Sequence, residues 1–152
     1  MRRLAILLLL AALTACSSGP AKHGRTTPDH GNDLVMYAMG LADTPYRYGG
    51  SNTASGFDCS GYVGHVYAQV LEIKLPRTSR QISRVGTPLH PSELHPGDLV
   101  FYNTQGQPYS HVGLYIGEGK FVHSPKSGDR IRVERMELNY WKSRYNGARR
   151  VY

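Results

Sequence analysis

His111-Val112-Gly113-Leu114-Tyr115-Ile116-Gly117-Glu118-Gly119-Lys120-Phe121-Val122-His123 is the stretch on which the reading of the fold turns. Residues 111–116 and 120–123 are rich in β-branched, aromatic and aliphatic side chains, and they flank Gly117-Glu118-Gly119. That is the pattern of two strands joined by a hairpin. Side chains alternate between the faces of a strand. If the spacing is even across the turn, His111 and His123 project from the same face, directly opposite or on a diagonal, where cross-strand partners come within about 4.5–8 Å. Just upstream, Pro96-Gly97-Asp98 reads as a turn leading into a strand at Leu99 to Tyr102. Downstream, Ile131-Arg132-Val133 and the end of the chain from Ala148 to Tyr152 also alternate.

The first half has a different period. Leu34, Val35, Ala38, Met39 and Leu41 keep helical spacing, so a helix is expected from a cap at Asn32 or Asp33 to about residue 42, ended by Thr44-Pro45. A second helix is expected from Cys59 to about Ile73, with Tyr62, Val63, Val66, Tyr67, Val70 and Leu71 as its apolar face and Asp58 as its cap. Thr78 suits the start of a short helix through Val85. Helices followed by antiparallel strands predict an α+β layer fold. Glycines cluster around Gly49-Gly50 and Gly56 to Gly61, where the backbone is tight or closely approached.

The N-terminus reads as an address. Arg2 and Arg3 precede the apolar run Leu4 to Leu13, and small residues follow, as in a secretory signal. The run is too short to span a bilayer. Leu13-Thr14-Ala15-Cys16 resembles the bacterial lipobox, which implies a leader over 1–15 and lipidation of Cys16. The Ser17-Ser18 that follows lacks the Asp of inner-membrane retention. The expectation is therefore an outer-membrane lipoprotein facing the periplasm and held by acyl chains alone. Residues 16–32 read as a flexible tether, with His23 and His30 as bystanders, and 33–152 as one domain.

The 152 residues carry 18 Lys+Arg against 11 Asp+Glu, and 40% are apolar. That content excludes wholesale disorder. Only two cysteines are present, which excludes a disulfide scaffold or a multi-cysteine metal module. Loss of Arg2 and Arg3 with the leader leaves a net charge of +5. Moderate basicity fits a partner rich in carboxylates or phosphates, or simply a solvated surface. Nucleic acid is a poor candidate in the compartment the leader implies.

With Cys16 lipidated, Cys59 is the one thiol left. A lone cysteine is either buried and inert, or reactive. At the start of a helix its thiolate is favoured by unpaired N–H groups and the aligned peptide dipoles. A thiol nucleophile needs a base that can later protonate the departing amine, and histidine suits both steps. Five histidines lie in the domain. His65 falls about 240° around the helix from Cys59 and points away; His90 and His95 sit in a proline-bounded loop. His111 and His123 can act as a pair, one accepting the thiol proton and the other steadying it.

At these residues the chain resembles the NlpC-type cell-wall peptidases, papain-like cysteine enzymes that cut peptidoglycan stem peptides. The matching segments are Pro45-Tyr46-Arg47-Tyr48-Gly49-Gly50, Phe57-Asp58-Cys59-Ser60-Gly61, Pro96 to Phe101, His111 to Gly117, and Phe121-Val122-His123, in the family's order. The resemblance implies a papain-like fold, with N-terminal helices packed on an antiparallel sheet of about five or six strands. It implies Cys59 as nucleophile, His111 as proton acceptor and His123 as its orienting partner. Tyr46 maps to the tyrosine that helps hold the oxyanion, with Tyr48 as the alternative. Asp58, Ser60 and Tyr48 become substrate-binding candidates, with Asp58 as cap, contact to a free amine, or both. Arg77-Thr78-Ser79 becomes groove lining. One departure is the five-residue spacer between Gly50 and Gly56, expected to alter a loop and not the chemistry.

The implied reaction is thiol-dependent hydrolysis of murein amide bonds with no cofactor and no metal. The expected bond is the D,D cross-link between diaminopimelate and D-Ala, with the D-Glu–diaminopimelate bond as the alternative within the family. Peptidoglycan is the expected partner, with a regulatory adaptor or protease as a further one, and a monomer is expected. Three other readings compete: a zinc hydrolase using Cys59, His111 and His123, a non-catalytic wall-binding lipoprotein, and acyl transfer on the same nucleophile.

Overall fold

The computed structural model describes residues 30–152. The leader expected over 1–15, Cys16, and the tether as far as residue 29 lie outside the described residues.

Helix α1 spans His30–Gly40, so it begins before the expected caps at Asn32 and Asp33 and stops short of residue 42. His30 is thus part of the domain and not of a tether. The reason is tertiary. The His30 ring meets Tyr152 edge-on at 6.2 Å, and Gly31 packs so closely on the 96–98 turn that a Cβ there would stand 2.2 Å from the Pro96 carbonyl oxygen. Asp33 falls instead in the first turn, where the helix dipole favours an acid.

A two-stranded ribbon, β1 (Ser51–Asn52) with β2 (Gly56–Phe57), occupies the spacer that the sequence left as a loop. Helix α2 (Cys59–Leu71) follows, capped by Asp58, whose Oδ1 accepts from the Gly61 N–H at 2.7 Å. Such a cap is worth about 1 kcal/mol. Helix α3 (Ser79–Ile82) is a single turn, shorter than the span to Val85 that Thr78 suggested. It does start at Thr78, which forms a reciprocal capping box with Gln81.

The remaining strands are β3 (Thr87–Leu89), β4 (Leu99–Tyr102), β5 (His111–Gly117), β6 (Lys120–His123), β7 (Arg132–Arg135) and β8 (Tyr145–Arg150). They form one six-stranded antiparallel sheet in the order β3-β8-β4-β5-β6-β7. The last strand starts three residues before the expected Ala148 and ends at Arg150. A short helix α4 (Asn139–Lys142) precedes it.

The sheet is covered on both faces. On one, Leu34 and Ala38 of α1 and Tyr62, Val63, Val66 and Tyr67 of α2 bury Leu99, Phe101, Val112, Leu114 and Val122. On the other, Trp141 of α4 covers Val100, Tyr102, Phe121 and Ala148. This double burial explains why β4 is apolar at every position. The Pro96-Gly97-Asp98 turn is tied to β8 by the wholly buried Asp98 carboxylate, which takes two bonds from Arg150 at 2.8 and 2.7 Å.

Candidate active site

The β5–β6 hairpin pairs Leu114 with Val122 and Tyr115 with Phe121. Continuing that register sets His123 opposite Gly113, two residues from His111, so the two histidines share a face on a diagonal. Their rings meet: His111 Nε2 lies 2.7 Å from His123 Nδ1, with the ring planes at 89°. Both are buried. Trp141 stacks along His111, with centroids at 5.9 Å and planes at 28°, and stands edge-on to His123 at 5.0 Å. Trp141 thus fixes both rings. Nothing in the sequence pattern pointed to it, because α4 is a single turn with no periodicity to read.

The end of β6 is anchored to the cysteine segment. Ser124, wholly buried beside His123, donates its hydroxyl to the Phe57 carbonyl at 2.7 Å. Phe57 leads through Asp58 into α2. Close backbone packing seats this segment: a Cβ on Gly61 would stand 2.1 Å from the Gly50 carbonyl oxygen. The loop before β5 is held by the Ser79 hydroxyl, which donates to the Tyr109 carbonyl at 2.7 Å.

Cys59 is the first residue of α2 and is partly exposed. Three backbone N–H groups favour ionisation of its sulfur: its own, that of Ser60, and that of Val112, the residue after His111. They favour the thiolate, but they are outweighed. Burial pushes the thiol up to about 11, and the Asp58 carboxylate pushes it in the same direction. The expectation of a thiolate stabilised by the helix start is therefore corrected: desolvation wins over the dipole, and the resting sulfur is a thiol. His111 is shifted the opposite way, down to about 4 by burial. Burial also takes His123 well below its ordinary value, with His111 and Arg132 adding to the effect.

Tyr46 reaches the same place. Burial raises its phenol, and the Cys59 sulfur and Asp58 carboxylate raise it further, so it keeps its proton and can donate. Tyr48 is 85% exposed. Asp58 does more than cap. Arg77 grips it with two bonds, at 3.1 and 2.6 Å, while Gly49 N–H and the Ser60 hydroxyl donate at 3.1 Å each. Burial would lift this carboxyl, but Arg77, the Gly61 N–H and Ser60 hold it below the ordinary range. Ser60 is buried within the same network and also accepts from Arg77 at 3.0 Å. Arg77, expected only to line a groove, is thus the partner that fixes the residue before Cys59. His65 lies elsewhere, against Phe57 and within 3.1 Å of the Tyr37 hydroxyl. His90 caps the 3₁₀ turn Pro91–Glu93.

Among the described residues, no group of three His, Cys, Asp or Glu side chains is placed to hold a metal ion. Also among them, no helix is long and apolar enough to cross a membrane.

The pattern of the NlpC/P60 family matches residues 43–150, from the turn after α1 to the last residue of β8. The chain belongs to the NlpC/P60 family. Murein DD-endopeptidase MepH of Escherichia coli (strain K12) is 46% identical over 110 residues, which cover 70% of this chain and 41% of that protein. The probable endopeptidase NlpC of the same organism is 35% identical, covering 99% of this chain and 100% of that one. The crystal structure of an NlpC/P60 family protein from Bacillus cereus superposes with a TM-score of 0.74 at 31% identity, covering 79% of this chain and 39% of the other. This chain therefore spans less than half of MepH and the whole of NlpC. The α+β architecture with helices against an antiparallel sheet is that of NlpC/P60 domains.

Proposed function

We propose that this NlpC/P60 protein is a cysteine peptidase that hydrolyses amide bonds of peptidoglycan stem peptides, with the D,D cross-link between diaminopimelate and D-Ala as its target. The observation that carries the reading is the buried His111–His123 contact at 2.7 Å, together with a thiol whose ionisation is favoured by the backbone N–H of Val112, the residue after His111. The name of MepH, a murein DD-endopeptidase, supports the substrate.

His111 uses Nε2 toward His123, which leaves Nδ1 as the lone pair for the thiol proton. In that tautomer His111 donates through Nε2 to His123 Nδ1, and the His123 proton sits on Nε2. That atom is buried with no hydrogen-bond partner among the described residues. Because the thiol rests protonated, His111 removes its proton as the sulfur attacks the carbonyl. The N–H groups around the sulfur and the Tyr46 hydroxyl stabilise the tetrahedral oxyanion. Protonated His111, steadied by His123, then gives its proton to the departing amine. Water activated by the same imidazole cleaves the acyl-enzyme.

We also propose that Cys16 is lipidated and holds the domain at the outer membrane, facing the periplasm.

A defined cross-linked muropeptide incubated with the protein and with Cys59→Ala, followed by mass spectrometry, tests the reading. Two uncross-linked monomers are expected from the wild type and none from the variant. Cleavage at D-Glu–diaminopimelate would move the target bond. Binding without release would make the protein a wall-binding module.

A further inference from the structure

A cavity of about 440 Å³ opens beside His111 on the Trp141 face of the sheet, opposite the face covered by α2. Its walls include Lys126, Arg132, Glu134, Tyr140 and Trp141. The volume is that of a small-molecule site. His111 lines it, whereas Cys59, Tyr46, Asp58 and Arg77 do not.

Its two cations differ. Arg132 is already engaged, with Glu134 at 2.8 Å and Asp129 at 3.1 Å. The Lys126 ammonium forms no ion pair among the described residues, so it is the lining cation available to an anionic ligand. Lys126 lies three residues after His123, just beyond the anchoring bond from Ser124 to Phe57.

The peptidase reading, on which this inference rests, gives the cavity a direction. The group that protonates a leaving amine must stand next to it, so the departing half of the substrate lies on the His111 side of the thiol. The acyl half lies on the side of Tyr46. We propose that the cavity is the subsite for the departing half, and that Lys126 binds a free carboxylate on the residue whose amine leaves. A diamino acid in a D,D cross-link has this chemistry, with a carboxylate one carbon from the cleaved nitrogen. Tyr140 and Trp141 provide the flat walls for its aliphatic chain.

The test uses two cross-linked muropeptides that differ only on the departing diamino acid, one with the free carboxylate and one with the carboxamide. The wild type is expected to favour the carboxylate in kcat/KM by roughly tenfold, the scale of one charge-assisted contact. Lys126→Ala should lower the carboxylate substrate to the level of the carboxamide, whereas Lys120→Ala, on the surface and paired with Glu118, should keep the preference. Equal cleavage of both substrates by the wild type, or an undiminished preference in Lys126→Ala, overturns the inference alone. Cleavage of neither by the wild type overturns the peptidase reading and the inference with it.

Discussion

Replacing His111 with Gln removes the proton acceptor while keeping the side chain's approximate bulk, and its effect on Cys59 can be worked out from the burial of the sulfur. With its thiol pushed up to about 11, Cys59 alone holds about 10⁻⁴ of its population as thiolate at pH 7, against about 3% for a free cysteine near 8.5. That is a deficit of roughly 300-fold. The more basic sulfur is intrinsically more nucleophilic, which at a Brønsted slope of about 0.4–0.5 returns roughly 10–20-fold. Cys59 in His111→Gln should therefore react with iodoacetamide about 20-fold more slowly than a free thiol at pH 7, and its rate should climb tenfold per pH unit. In the wild type the imidazole, held neutral by a shift down to about 4, is available as a base from about pH 5 upward. Transfer of the proton from sulfur to that imidazole releases none to solvent, so alkylation of Cys59 by this route should be nearly flat between pH 5 and 8. The assay follows intact mass in a chain carrying Cys16→Ser, so that Cys59 is the only thiol. A His111→Gln variant that alkylates at the wild-type rate with the wild-type pH profile would refute the coupling of sulfur and imidazole.

Acid should destabilise the fold, because His111 is held neutral down to about pH 4 and burial also holds His123 well below its ordinary value, while both protonate near 6.5 once unfolded. The stability from their neutral forms is complete above about pH 6.5 and is lost as pH falls. Urea unfolding at pH 5 should show a loss of about 2 kcal/mol from His111 alone, at 1.36 kcal/mol per unit, with more from His123; His111→Gln should flatten the dependence. Trp141→Ala, which removes the ring against both histidines, should cost about 3–5 kcal/mol in unfolding experiments and cut murein release more steeply than Trp141→Phe. A chelator should leave murein release unchanged and a thiol alkylator should abolish it; the opposite pattern would restore the zinc reading.

Much of the site was legible because its signals are local. The Gly117-Glu118-Gly119 turn and the apolar runs beside it set the hairpin. Even so, a bulge between Tyr115 and Gly117, which sequence spacing does not reveal, decides that the histidines meet on a diagonal. Asp58 and Thr78 acted as the caps their chemistry suggests. The misses have tertiary causes. The start of α1 is drawn back to His30 by contacts with Pro96 and Tyr152, far away in the chain. β3 is a three-residue edge strand containing Pro88, a residue that argues against a central strand. α4 is too short to show a period, so the role of Trp141 stayed hidden. At Cys59 the helix start can be read from sequence, whereas the burial that opposes the thiolate cannot.

The most direct test of the thiol mechanism is rapid acid quenching of the protein with a cross-linked muropeptide, followed by mass analysis of the peptide that contains Cys59. The account predicts a transient gain equal to the acyl half of the substrate on that peptide, absent from Cys59→Ala, which also releases no product. Product release by Cys59→Ala, or turnover by the wild type with the acyl group never found on that sulfur, would contradict it.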